Sequence, residues 1–318
     1  MGEPLHWRPS ASMDMLHQRA QMMATIRQFF SHKSYLEVET PIMAHCGVTD
    51  VYLRNIEATF RDRVYALQTS PEYHMKRLLA SGSGPIFQLA RVFRDDELGR
   101  WHNPEFTLLE WYQLGVNHID LLAEVDELLQ LLLGCPPLAI RTYEEVFQSI
   151  CGINPFETHR KQLRDCVARF DLAGVIEEGE QDLDQYLFLL MSHVVEPGLA
   201  SELMPTAVID FPISQASLAQ IHGGRAARFE VYYRGVELAN GFHELTDPQL
   251  QAARFDSDNH SRELKGIKAA EVDGLLLQAL QYGLPPCSGV ALGVDRTLAL
   301  AAQTADIASC LAFDFSRA

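Results

Sequence analysis

The stretch Phe93-Arg94-Asp95-Asp96-Glu97, followed by Arg100 and by His102-Asn103-Pro104-Glu105-Phe106-Thr107, decides how the rest of the chain is read. It lies between two short runs rich in apolar and aromatic residues, Ile86 to Phe93 and Phe106 to Tyr112, each of which reads as a strand. Strands joined without a helix of crossover length favour an antiparallel sheet. A loop carrying two arginines, a histidine and an aromatic ring can clamp a triphosphate and stack a purine. The same charges also suit a hairpin that faces water.

Upstream, Met15, Met22, Ile26, Phe29 and Phe30 recur at helical spacing and predict a helix from Met13 to Ser31, with a short strand from Leu36 to Val38 that ends at Pro41. Val64 to Gln68 reads as a further strand. Downstream, Asp120 to Leu133 is a leucine-rich amphipathic helix stopped by Gly134 and by Pro136 and Pro137. Residues 134–204 carry further helical patterns and resemble a helical insertion within one catalytic domain spanning 1–318. Strand character returns at Ala207 to Phe211 and at Phe229 to Leu238, and helices are predicted from Pro248 to Lys268 and from Glu271 to Tyr282. The segment Ser288 to Thr304 starts rich in glycine and ends as an apolar helix.

Formal charge is −16, with 42 acidic residues against 26 basic ones, which repels a phosphate backbone unless a basic patch is concentrated somewhere, and the sequence shows none. No apolar run is long enough for a membrane span, and the polar start of the chain does not read as a secretory signal, so a cytoplasmic protein is expected. The six cysteines show neither zinc-site spacing nor paired motifs, which leaves packing as their expected role.

Acidic residues stand in unusual surroundings. Glu230 and Glu237 lie in a strand-like run, where burial would demand a cation such as magnesium or an ammonium group, and exposure would demand nothing. Alternation separates them onto opposite faces unless a bulge intervenes. Glu72, Glu110 and Glu244 sit among apolar and aromatic neighbours, and a pocket lined by them would prefer a substrate with more than one amine. In Ser288-Gly289-Val290-Ala291-Leu292-Gly293-Val294-Asp295-Arg296, the glycines permit close approach of a ligand and Arg296 can reach a phosphate.

Taken together these segments resemble the three signature motifs of the class II aminoacyl-tRNA synthetases, in the version found in lysyl-tRNA synthetases. Phe29 to Pro41 is similar to motif one, which implies a homodimer. Phe93 to Glu110 is similar to motif two, and Gly289 to Arg296 to motif three. The resemblance implies an α+β catalytic domain, an antiparallel sheet flanked by helices, using ATP and Mg2+. Arg94 and Arg296 are then the catalytic phosphate clamps, and Asp95, Asp96, Arg100, His102, Asn103, Phe106, Glu237, Leu238 and Gly293 join them around ATP. Glu230 and Glu237 match the magnesium ligands. Ser70, Pro71, Glu72, Glu110, Tyr112, Asn240, Glu244 and Ala291 match the amino-acid site. Where the family carries Arg-x-Glu, this chain has Arg94-Asp95-Asp96, one methylene shorter.

Lysyl-tRNA synthetases carry an N-terminal OB-fold that reads the anticodon ahead of motif one. Here motif one starts by Phe29, so no N-terminal OB-fold and no tRNA partner are expected. That feature, the acidic charge, and the runs Thr69 to Leu78 and Pro212 to Ala219 resemble a branch that transfers (R)-β-lysine to a lysine side chain of translation elongation factor P. Ala291 stands where lysyl-tRNA synthetases carry glycine, which would favour an amine on the β carbon. The competing readings are a minimal lysyl-tRNA synthetase, a free amino acid ligase making a small amide, and a non-catalytic synthetase-like regulator; whether lysine or (R)-β-lysine is the substrate stays open.

Overall fold

The computed structural model describes residues 7–95, 98–177 and 179–318. Along the chain the elements are α1 (Met13–His32), β1 (Leu36–Glu37), β2 (Met43–Ala44), β3 (Glu57–Phe60), β4 (Arg63–Leu67), α2 (Glu72–Ala80), β5 (Ile86–Phe93), β6 (Glu105–Leu114) and α3 (His118–Leu133). Next come β7 (Ala139–Thr142), α4 (Tyr143–Cys151), α5 (Arg160–Arg169), α6 (Leu183–Leu190), a π-helical turn at Met191–Val195, and α7 (Glu196–Leu199). The chain ends with β8 (Thr206–Phe211), β9 (Ile221–His222), β10 (Arg225–Tyr233), β11 (Val236–His243), α8 (Pro248–Leu264), α9 (Gly274–Gly283), β12 (Cys287–Gly293) and α10 (Val294–Ala301). They fall into two compact units, one made of the chain up to Asn117 with Leu131–Leu133 and Glu244–Ala318, the other of His118–Gln130 and Gly134–His243.

In the first unit, α1 starts at Ser12, whose hydroxyl accepts from Met15 N at 3.1 Å, and it buries the five apolar residues that its spacing marks out. Its Phe30 ring stacks on Phe87 at 4.6 Å and meets Tyr35 edge-on at 5.1 Å. The sheet of this unit runs β1-β5-β6-β12, antiparallel from β5 onward, with β1 parallel to β5. The β5 and β6 registers place Gln88, Ala90 and Val92 beside Glu110, Leu108 and Phe106. A smaller sheet runs β2-β4-β3.

In the second unit the sheet order is β11-β10-β8-β7, with β9 beside β10. β7 runs parallel to β8, as β1 does to β5, so the strand pairing is mixed rather than wholly antiparallel. The segment 134–204 holds α4, α5, α6, the π-helical turn and α7, together with β7. Its apolar faces close over β8 and β10, where Tyr143 packs on Phe147 at 4.5 Å and on Phe211 at 4.9 Å. α4 opens on a reciprocal capping box between Thr142 and Glu145 and stops at Gly152, whose φ of 68° suits a residue without a Cβ.

The run Phe229 to Leu238, which reads as one strand, is a hairpin. Arg234 and Gly235 both have positive φ, 52° and 73°, which is the backbone of a two-residue turn with the twist that hairpins favour. All six cysteines are free thiols, and five of them are buried. No described helix is long and apolar enough to cross a membrane.

Phe30→Ala should cost about 3–5 kcal/mol of unfolding free energy, as expected for a fully buried aromatic ring, measured by urea denaturation followed by tryptophan fluorescence.

Candidate active site

On β6, strand alternation brings Glu110 and Tyr112 to one face, two residues apart. Tyr112 OH donates to Glu110 Oε1 at 2.6 Å, and Ser70 Oγ donates to the other carboxylate oxygen at 2.7 Å. Ser70 also accepts from Glu72 N at 3.0 Å, which fixes the first turn of α2 behind Pro71. One helical turn later, Lys76 Nζ lies 2.6 Å from Glu72 Oε1 and 2.5 Å from Glu244 Oε2. Glu110, Glu244 and Lys76 are 2%, 1% and 2% exposed, so this charge cluster is out of water.

Burial pushes the Glu110 carboxyl up to about 7, and the nearby Glu72 charge adds to the shift against the two hydroxyl donors. Burial also raises Glu244, with Lys76 opposing it. Lys76 stays charged because Glu244 and Glu72 outweigh its desolvation.

The opposite wall is β12, where Gly289 pairs with Tyr112 and Ala291 with Glu110. A Cβ on Gly289 would run into the Tyr112 ring and lie 2.7 Å from Glu244 Oε1. Glycine is therefore required at 289 by close packing, and its φ is not what demands it. Ala291 packs with Ala90, Val92, Leu108 and Phe106.

At the start of motif two, Arg94 places its guanidinium 5.1 Å from the centre of the Phe106 ring, and its backbone N–H donates to Pro104 O at 3.0 Å. Asp95 N donates to Arg54 O at 3.0 Å. Asp96 and Glu97 lie outside the described residues. Asn103 is buried, donates to Glu105 O at 2.6 Å and accepts from Phe315 N at 3.1 Å. Arg100 donates to the carbonyl of Ala305. Arg296, in the first turn of α10 behind Gly293, donates to Trp101 O at 3.2 Å and lies 2.8 Å from His102 Nε2. Its neighbour Asp295 is held by Arg19 at 2.5 Å and accepts from Thr107 N at 2.7 Å, which locks α10 to β6.

In the second unit, Glu230 pairs with Asn240 across the β10 and β11 hairpin. The register then shifts after Val231, so that Tyr232 opposes Glu237 and Leu238 is the extra residue. The two-residue turn sets Glu237 opposite Tyr232 and so on the face that carries Glu230, and the bulge brings Asn240 onto that face, against the plain alternation of the sequence. Arg228 and Tyr232 both donate to Glu230. Burial raises Glu230, with Arg228 opposing and Glu237 reinforcing the shift. Glu196 of α7, absent from the sequence-based list, accepts from Glu237 N at 3.2 Å. Asn240 Nδ2 donates to Glu230 Oε1 at 3.4 Å, and its Oδ1 is buried without a hydrogen-bond partner.

Among the described residues no group of three His, Cys, Asp or Glu is placed to hold a metal alone. Two carboxylates and an unused amide oxygen on one face are nevertheless the hard donor set that magnesium takes when nucleotide phosphates complete its shell.

Glu196 escapes a reading by motif; Lys76 lies in the run Thr69 to Leu78 and Gly289 opens motif three, but in neither does the motif indicate a role at the acidic cluster. For Lys76 the sequence trace is the Glu72-to-Lys76 spacing of one helical turn.

Gly289→Ala should destabilise the protein by about 1–3 kcal/mol through overpacking, and near-ultraviolet circular dichroism should register the displaced Tyr112 ring. A carboxyl raised in the folded state stabilises it below the unfolded value near 4.5, and that contribution is lost as pH climbs through about 7. Unfolding free energy should thus fall between pH 5 and 8 by an amount of order 3 kcal/mol for a shift of this size, and Glu110→Gln should flatten the slope in urea titrations.

The family model for class II tRNA synthetases (D, K and N) matches residues 3–317. Full-length curated relatives include the elongation factor P--(R)-beta-lysine ligases of Salmonella gallinarum (strain 287/91 / NCTC 13346), 49% identical, and of Salmonella paratyphi B (strain ATCC BAA-1250 / SPB7) and Salmonella heidelberg (strain SL476), each 48% identical. In all three the alignment covers 100% of both chains. The motif geometry and these matches agree, and the chain belongs to the class II tRNA synthetases of the D, K and N group.

Proposed function

We propose that this protein activates (R)-β-lysine with ATP and transfers it to a lysine side chain of translation elongation factor P. The observation that carries the reading is the cluster of the buried Glu110 and Glu244 with the partly buried Glu72, since carboxylates drawn out of water favour a ligand that brings cationic amines. The relatives named as elongation factor P ligases support the acceptor.

In the first step the substrate carboxylate attacks the α-phosphorus of ATP, forming the adenylate and releasing diphosphate. By the roles that the resemblance implies, Arg94 takes the α-phosphate and substrate carboxylate, Arg296 the γ-phosphate, and Phe106 the adenine. Glu72 faces the amine near the carboxylate and Asn240 the carboxylate, while Glu110, Tyr112 and Glu244 surround the distal ammonium. Glu230 and Glu237 hold Mg2+, which when bound offsets charge on the phosphates. Positioning and electrostatics supply the rate without a protein nucleophile.

In the second step a neutral lysine ε-amine of elongation factor P attacks the adenylate carbonyl, giving an amide and AMP. The protein works as a homodimer through the motif-one segment, a reading supported by the exposure of Leu36 within it and of Ile42 and Met43 directly after it.

Incubation with ATP, Mg2+ and (R)-β-lysine should add one lysyl unit to the mass of elongation factor P and none to bulk tRNA. Acylated tRNA alone would make it a small lysyl-tRNA synthetase, and AMP release with neither acceptor would leave the acceptor reading wrong. Glu244→Gln should raise KM for the diamine acid by at least about ten-fold, the loss of roughly one charged contact, with KM for ATP little changed in diphosphate exchange.

A further inference from the structure

Lys76 belongs to none of the roles assigned above, yet it is among the most buried charged side chains described. A lysine at 2% exposure is rare and tolerated only when paired. Here α2 turns the Lys76 stem inward beside Met75 and Leu79 and delivers the ammonium to Glu72 and Glu244 at 2.6 and 2.5 Å. Both carboxylates belong to the proposed amino-acid site. The other ionisable groups around this point are Glu110 and Tyr112 of β6 and Cys287 of β12. α9, which packs against α2, brings no charge, because Gly274–Gly283 contains no Asp, Glu, Lys, Arg or His.

We infer that Lys76 is a positioning and specificity-determining residue of the amino-acid pocket, holding Glu72 and Glu244 in place and setting the pocket's charge to match a substrate with two ammonium groups. Glu72, Glu110 and Glu244 together with one ammonium leave two formal negative charges when all four groups are ionised. A diamine acid presents two positive charges to them, so the pocket and ligand neutralise each other. The inference rests on the reading of this pocket as the diamine acid site.

Without the ammonium, three neighbouring carboxylates, two of them buried, ionise less readily, and the cluster holds its proton to a higher pH than in the wild-type protein. A protonated carboxyl is a poorer partner for an ammonium group. The loss should therefore appear in substrate affinity and in its pH dependence, and leave ATP binding alone. A merely structural lysine would lower stability, or affect both substrates alike, without moving a pH limb.

The test is ATP–diphosphate exchange at varied (R)-β-lysine and varied ATP from pH 6 to 9, with folding checked by circular dichroism. Lys76→Met should raise KM for (R)-β-lysine by at least about ten-fold and move the acid limb of kcat/KM up by about one pH unit, with KM for ATP nearly constant. The double variant Lys76→Met/Glu72→Gln removes the pair together and should return the acid limb to the wild-type position. It also serves if the single variant does not fold. An unmoved limb in Lys76→Met, equal loss for both substrates, or a double variant whose limb stays displaced would overturn the inference. Wild-type protein with no (R)-β-lysine-dependent exchange would instead overturn the functional reading itself.

Discussion

A carboxylate taken out of water must find a cation or take up a proton, and the first unit buries Glu110 and Glu244 and sets the partly buried Glu72 beside them. Much of the local structure follows from that constraint. Ser70 and Tyr112 spend their hydroxyls on Glu110, Lys76 gives up its solvation to pair with the other two, and Gly289 has no side chain so that Tyr112 and Glu244 can lie against its backbone. Each of these residues would be a poor choice for stability alone. A core of similar volume built from apolar side chains would avoid the desolvation altogether. Their common presence is what a site shaped for cationic amines requires.

The second unit solves a related problem with backbone geometry. Alternation along one continuous strand would put Glu230 and Glu237 on opposite faces; the turn at Arg234-Gly235 brings them to one face, and one extra residue, Leu238, adds Asn240 to it. Turn and bulge thus assemble an acidic face from a sequence whose spacing argues against it. Arg228 and Tyr232 keep Glu230 satisfied in the meantime, so the face is preorganised rather than left with a bare buried charge.

The elements with strong periodicity were legible from the residues. α1 buries Met15, Met22, Ile26, Phe29 and Phe30, and β5 begins and ends at Ile86 and Phe93 as its composition indicates. The hairpin at Arg234-Gly235 was hidden because its turn lacks the usual asparagine or aspartate at the first position, and both flanking runs look like one continuous strand. The parallel pairings of β1 with β5 and β7 with β8 join segments far apart in sequence, so no local pattern announces them. At the site, the acids were legible as misfits among apolar neighbours. Their cation was harder to see, since Lys76 followed by Arg77 looks like an ordinary solvated helix face until α2 is turned inward. Gly289 is similar: its close contact with Tyr112 comes from cross-strand register and from nothing in its own neighbourhood.

The central claim is that buried carboxyls in this pocket give up protons to receive the ammonium groups of a substrate. Isothermal titration calorimetry of (R)-β-lysine into the protein near pH 7, repeated in buffers of different ionisation enthalpy, counts those protons directly. Because Glu110 is raised to about 7, binding should release protons, up to about half a proton per ligand near pH 7 if that group alone responds. Binding with no proton release, or with proton uptake, would contradict the account.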